Sequence, residues 1–158
     1  MSIQIGDTIP NVELRVMGKE GPEAVNTADL FAGKKVVLFA VPGAFTPACS
    51  ETHLPGFVVK ADEIKARGVD SIICTSVNDV FVMAAWGRDQ NADKIIMLAD
   101  GLGEFASALG LDQDLSGIQF GKRSKRYAMI VDDGKVEWLG IDDKGVDKSS
   151  AEAVLAAL

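Results

Sequence analysis

The run Val41-Pro42-Gly43-Ala44-Phe45-Thr46-Pro47-Ala48-Cys49-Ser50-Glu51-Thr52-His53 holds the residue best suited to chemistry, Cys49. It follows an apolar stretch and reads as the opening of a helix. Thr46 is a good N-cap, and Pro47 suits the first helical position. Cys49 then falls at the third helical position. Its sulfur lies near backbone N–H groups that have no partner inside the helix, at the positive end of the helix dipole. That setting favours the thiolate, which is the nucleophilic form. An arbitrary cysteine is a small buried hydrophobe. The first turn of a helix, after a strand and behind a Thr-Pro cap, favours the reactive reading. Thr46 keeps two readings, a cap alone or a cap whose hydroxyl also serves chemistry.

Three further residues bear on this sulfur. Arg126 ends the basic run Lys122-Arg123-Ser124-Lys125-Arg126 and immediately precedes the apolar Tyr127-Ala128-Met129-Ile130-Val131. A guanidinium rooted at a strand end is held rigidly and stays charged. Beside Cys49 it would stabilise a thiolate and polarise an acceptor oxygen. Lys122, Arg123 and Lys125 read as a solvated loop. His53 lies four residues after Cys49, on the same helix face. A Cys–His nucleophile pair and metal ligation are the alternatives there, and a packing or hydrogen-bonding histidine is the better reading. Cys74, in Ser71-Ile72-Ile73-Cys74-Thr75-Ser76, reads as a core cysteine of a buried strand, with a redox partner role as the alternative. It lies three residues short of Val77, roughly 10 Å down the strand at ~3.3 Å per residue. A disulfide to Cys49 should therefore require local unfolding.

The elements that position these residues follow from the pattern. Strands are expected at 12–16, 36–41, 69–77, 94–99, 127–131 and 136–139, the last two joined by a tight Asp133-Gly134 hairpin. Helices are expected at 27–31 (capped by Thr27), 46–67, 79–90 and 102–109, with a C-terminal helix opened by the capping box Ser149-Ser150-Ala151-Glu152. Pro55 and Gly56 should kink the 46–67 helix, so that its first turn unwinds separately from the rest. Alternating strands and helices imply parallel crossovers covered on both faces. With the added hairpin this is an α/β thioredoxin-like three-layer fold, a central mixed sheet flanked by helices.

The composition bounds the rest. The chain has 158 residues, is 47% hydrophobic and carries a net charge of −7. That length fits a single domain over residues 1–158. An acidic chain lacks the positive field that nucleic acid or an anionic membrane attracts. No apolar run is long enough to span a bilayer, and the first residues show no secretory signal. Two cysteines make no disulfide framework, so a cytoplasmic setting is expected. Two cysteines and one histidine fall short of the four Cys/His ligands that a structural zinc site wants, so none is expected.

The active-site run 41–50, continued by Thr52-His53-Leu54-Pro55-Gly56-Phe57, resembles the signature of the type II peroxiredoxins, the atypical peroxiredoxin-5-like group. Ser76-Val77-Asn78-Asp79, Leu98-Ala99-Asp100-Gly101 and Arg123-Ser124-Lys125-Arg126-Tyr127-Ala128 match it in order, so the resemblance covers nearly the whole chain. It implies thiol-dependent reduction of hydrogen peroxide and alkyl hydroperoxides, with Cys49 as the peroxidatic cysteine and Thr46, Pro42 and Arg126 as its active-site partners. It also implies noncovalent homodimers. Some members resolve the oxidised cysteine with a C-terminal cysteine; here no cysteine follows Cys74, which makes an external reductant the expectation, glutathione/glutaredoxin or thioredoxin. No metal, haem or flavin is expected. The competing readings are a thioredoxin-like disulfide reductase, which would want cysteine where Thr46 stands, a noncatalytic redox sensor, and a Cys–His hydrolase.

Overall fold

The computed structural model describes residues 2–158. Nine strands and five α-helices follow in the order β1 (Glu13–Gly18), β2 (Gly21–Asn26), α1 (Thr27–Phe31), β3 (Lys35–Ala40), α2 (Leu54–Ala66), β4 (Ser71–Ser76), α3 (Val80–Asp89), β5 (Ile96–Ala99), α4 (Glu104–Leu109), β6 (Asp112–Asp114), β7 (Lys122–Ser124), β8 (Arg126–Asp132), β9 (Lys135–Asp142) and α5 (Ala151–Ala157). A π-helical turn, Cys49–His53, leads directly into α2. Seven strands form one mixed sheet in the order β2-β1-β5-β4-β3-β8-β9, and β6 pairs with β7 apart from it.

The centre of the sheet is parallel, β3 against β4 and β4 against β5, while β8 and β9 run antiparallel beyond β3. Val36 to Ala40 are all fully buried, as a strand covered on both faces requires. Side chains alternate between faces. Val37, Phe39, Cys74, Ala128 and Ile130 pack against α2, α3 and α5; Val36, Leu38, Ile73, Tyr127 and Met129 pack against Phe31 of α1 and Phe105 and Leu109 of α4. This is the three-layer arrangement expected. Arg126 shares the parity of Ala128 and Ile130, so it projects to the α2 face, where Cys49 lies.

Local signals worked where side chain and backbone agree. Asp79 caps α3, accepting from the N–H groups of Phe81 and Val82, both at 2.9 Å. Asp133 and Gly134 both have positive φ, 47° and 80°, as the tight β8–β9 turn demands. Elsewhere the structure corrects the reading. Thr27 does not cap α1; Asn26 holds that position, and the buried Thr27 hydroxyl donates to the Pro10 carbonyl and accepts from Val12 N–H. The expected capping box does not form: Ser150 rather than Ser149 is the cap and accepts from Ala153 N–H, because Ser149 is drawn inward to Asp142, and Ala153 has no polar side chain to reciprocate. Strand β2 carries no sequence signal, since its residues are mostly exposed and include Pro22 on a sheet edge. The Lys122–Ser124 segment, which the basic run predicts as loop, is strand β7, and its partner β6 likewise has no strand signal in the sequence.

Candidate active site

The 46–67 segment is not one α-helix. Pro47 opens it, and the Thr46 carbonyl accepts from Ser50 N–H at 2.9 Å, but Cys49–His53 is a π turn closed by Leu54 N–H on the Cys49 carbonyl. The cause lies in Pro55. It has no N–H for the Glu51 carbonyl, and its ring crowds that oxygen. A wider turn relieves the clash, and such bulges recur at functional sites. The expected irregularity is present, as a π turn rather than a simple kink. Ser50 ties the turn to α3 by accepting from Trp86 Nε1 at 3.0 Å.

Arg126, the first residue of β8, reaches across to this turn. Its Nη2 donates to Cys49 Sγ at 3.1 Å, and its Nη1 donates to His53 Nδ1 at 2.8 Å. The proximity that sequence left open is therefore present. His53 is buried, and its Nε2 donates to the Ser149 carbonyl at 2.8 Å. A guanidinium only donates and a carbonyl only accepts, so the proton must sit on Nε2. Burial, with Arg126 alongside, lowers the His53 pKa to about 4, against opposition from the Ser149 bond and Asp142. His53 is thus the hydrogen-bonding histidine expected. Among the described residues, no cluster of His, Cys, Asp and Glu is suited to hold a metal.

Thr46 Oγ donates to the Gly43 carbonyl at 2.7 Å. Its hydroxyl is not a side-chain cap. Its proton is committed to backbone, which leaves the oxygen as an acceptor. Pro42 lies on the loop between β3 and the π turn, and its carbonyl accepts from Arg123 Nη1 at 3.3 Å. The basic run predicts a solvated loop for Arg123. Instead it is half-buried, bonded through Nε to the Phe120 carbonyl and set over the Phe120 ring at 5.0 Å. It fastens the β7 segment to the active-site loop. Nothing in a basic run says which cation will find a carbonyl, so composition alone could not single it out.

Cys49 is completely buried, where an exposed reactive thiol would be the usual expectation. A polar pocket of about 160 Å³ is lined by Pro42, Gln113, Lys125, Arg126 and Asp142 among others, and Cys49 is not part of its wall. Cys74 is buried in β4 between Phe39 and Met97. Burial pushes its thiol well up, and charge on Cys49 would add to this, while Arg126 acts the other way. Both cysteines are free. The larger cavity, about 860 Å³ between β1, α3 and β5, contains none of these residues.

A family model described as Redoxin matches residues 4–155. Peroxiredoxin-2E, chloroplastic, of Arabidopsis thaliana is 47% identical over 163 residues, covering 99% of this chain and 70% of that protein. The crystal structure of reduced Prx3 from Vibrio vulnificus in complex with H2O2 is 56% identical, with a TM-score of 0.95 over 98% of each chain. Peroxiredoxin 5 from Alvinella pompejana is 38% identical, with a TM-score of 0.86 over 98% of this chain and 97% of that one. Likeness of this extent leaves one assignment: the chain belongs to the redoxin family, among its type II peroxiredoxins, and is a thiol-dependent peroxidase.

Proposed function

We propose that Cys49 is the peroxidatic residue and that it reduces hydrogen peroxide and alkyl hydroperoxides. The observation that carries this is the Arg126 Nη2 donor 3.1 Å from Cys49 Sγ. The sulfur attacks one peroxide oxygen in line with the O–O bond. The S–O bond forms as the O–O bond breaks, and charge passes from sulfur to the departing oxygen, which leaves as water or alcohol once protonated. The guanidinium holds the thiolate before this step and the developing charge during it. Thr46 Oγ accepts from the O–H of the hydroperoxide and so orients it. Pro42 shields the sulfur from water. Holding both reactants in line supplies much of the acceleration. The turn around Cys49 must open slightly to admit the peroxide.

The product on Cys49 is a sulfenic acid, which a second thiol condenses to a disulfide with loss of water. Cys74 is a poor candidate for that thiol, being buried with its proton firmly held. The reductant therefore comes from outside, glutathione with glutaredoxin or thioredoxin, in a reducing cytoplasm. Peroxide consumption measured with each reductant system tests this. Cys49→Ser abolishes turnover in both, while Cys74→Ser keeps most of it. The reverse pattern would overturn the assignment.

The chain also works as a noncovalent homodimer through the rim of this site. Phe45, Leu102, Ile118 and Phe120 on neighbouring loops and Phe81 in the first turn of α3 are exposed. Asn78 Oδ1 accepts from Ala44 N–H at 3.0 Å, and Arg123 joins the Phe120 and Pro42 carbonyls, so these loops form one patch. Sedimentation should give a dimer for the wild type and a monomer for Phe81→Glu.

A further inference from the structure

Arg126 must be aimed, and its partners are unusual. Its cross-strand neighbour in the β8–β9 ladder is Asp142, the carboxylate that would ordinarily pair with it. Asp142 is occupied elsewhere. Its two oxygens accept from the N–H groups of Asp147, Lys148 and Ser149 and from the Ser149 hydroxyl, at 2.7–3.0 Å. Burial works against ionisation there, but these donors outweigh it and hold its pKa below the usual carboxylate range. The acceptor that Arg126 Nη1 finds is the uncharged imidazole of His53.

We infer that His53 is a positioning residue of the peroxidase reaction: its bare Nδ1 turns the Arg126 guanidinium onto Cys49 Sγ without neutralising it, and the Ser149 carbonyl fixes the tautomer that leaves Nδ1 bare. The inference rests on the assignment of Cys49 and Arg126 above. A carboxylate in the same place would orient the guanidinium equally well, but its negative charge would offset the positive field that stabilises the thiolate and the departing oxygen. A neutral acceptor orients and leaves that field intact.

The imidazole itself is held on every side. Its ring packs against Phe39 at 5.0 Å and Phe57 at 5.6 Å between centroids. Its outer nitrogen is tied to Ser149, and Ser149 is tied to Asp142 by two bonds. The 147–149 loop lies so close to β9 that a Cβ on Gly140 would collide with the Lys148 carbonyl oxygen. An unbroken series of contacts thus runs from β9 through Asp142, Ser149 and His53 to Arg126 and the sulfur. With its pKa at about 4, His53 stays unprotonated at neutral pH and Nδ1 remains an acceptor.

Two substitutions separate this role from packing. His53→Phe keeps a ring between Phe39 and Phe57 but offers Arg126 no acceptor. His53→Asn loses ring packing and the reach to Ser149, yet its amide oxygen occupies the place of Nδ1. Single-turnover oxidation of Cys49 by hydrogen peroxide should slow roughly tenfold or more in His53→Phe, the usual cost of losing a hydrogen bond to a charged group. His53→Asn should stay within about threefold of the wild type in the same assay despite a lower Tm. A purely structural histidine gives the opposite order, and that order overturns the inference. A second test needs no variant: ¹⁵N NMR of the wild-type imidazole should show Nε2 protonated and Nδ1 bare between pH 6 and 8. A proton on Nδ1 refutes the inference whatever the variants do. A wild type that does not oxidise at Cys49 refutes the underlying assignment, and the inference with it, whereas normal oxidation in His53→Phe refutes the inference alone.

Discussion

Arg126→Lys keeps the charge and removes the fork. The guanidinium donates in two directions at once, to Cys49 Sγ at 3.1 Å and to His53 Nδ1 at 2.8 Å, from two different nitrogens. An ammonium has a single nitrogen on a shorter reach and cannot sit at both positions. At least one charge-assisted bond is lost, a change of about 1.5–3 kcal/mol. Every 1.36 kcal/mol is tenfold in rate, so oxidation of Cys49 should slow by roughly 10- to 150-fold. Arg126→Gln, which removes the charge as well, should be slower still. The measurement can use the protein's own fluorescence. Trp86 Nε1 bonds to Ser50, the residue next to Cys49, so its emission reports on the reacting turn. The chain has two tryptophans, and a Trp138→Phe background isolates the signal. Stopped-flow mixing with hydrogen peroxide then gives the second-order rate constant directly. A Lys variant within threefold of the wild type would show that the two-pronged geometry is irrelevant to the chemistry.

The remaining predictions concern protons and oxidation state. The His53 pKa is lowered to about 4 in the folded chain, so between pH 6.5 and 4 the unfolded chain takes up a proton that the native one refuses. Stability should fall by about 3 kcal/mol as the pH drops through that window and level off below it. Urea titrations at pH 7 and pH 4.5 should show most of this loss in the wild type and not in His53→Phe. Asp142, held below the usual carboxylate range, acts at still lower pH: its contribution is present at neutrality and lost as acid finally protonates it. Excess peroxide without reductant should add two oxygen atoms to the intact mass, as Cys49 passes from sulfenic to sulfinic acid, and Cys49→Ser should gain none at the same dose. Cys74 should resist iodoacetamide in the native protein at pH 8 and react once denaturant is added, because burial holds its proton.

The central sheet was legible because its signals are strong and local. Continuous burial made β3 and β4 plain, and Asp79 and Asp133-Gly134 wrote the α3 cap and the β8–β9 turn into the chain. The strands that escaped, β2, β6 and β7, are short or exposed and carry no apolar alternation; their pairing depends on neighbours brought in by the fold. At the site, the Thr-Pro-x-Cys run and the arginine before an apolar strand were readable. The orientation of Thr46, whose proton turns to Gly43, was not, since a hydroxyl's choice among acceptors is decided by the loop's shape. His53 and Ser149 lie 96 positions apart, and only the packing of α5 against α2 brings them together. The same holds for Arg123 and Pro42, 81 apart.

The seating of α5 has a practical consequence. That helix begins just after the residue whose carbonyl grips His53, and Arg67 of the neighbouring helix end donates to the Leu155 carbonyl near its far end. A bulky fluorescent fusion on the carboxyl terminus would tug on this grip and register as altered peroxide sensitivity. Genetically encoded probes built from this scaffold should therefore attach their reporter at the amino terminus, where Ile3 is pinned to Leu109 on the opposite side of the sheet.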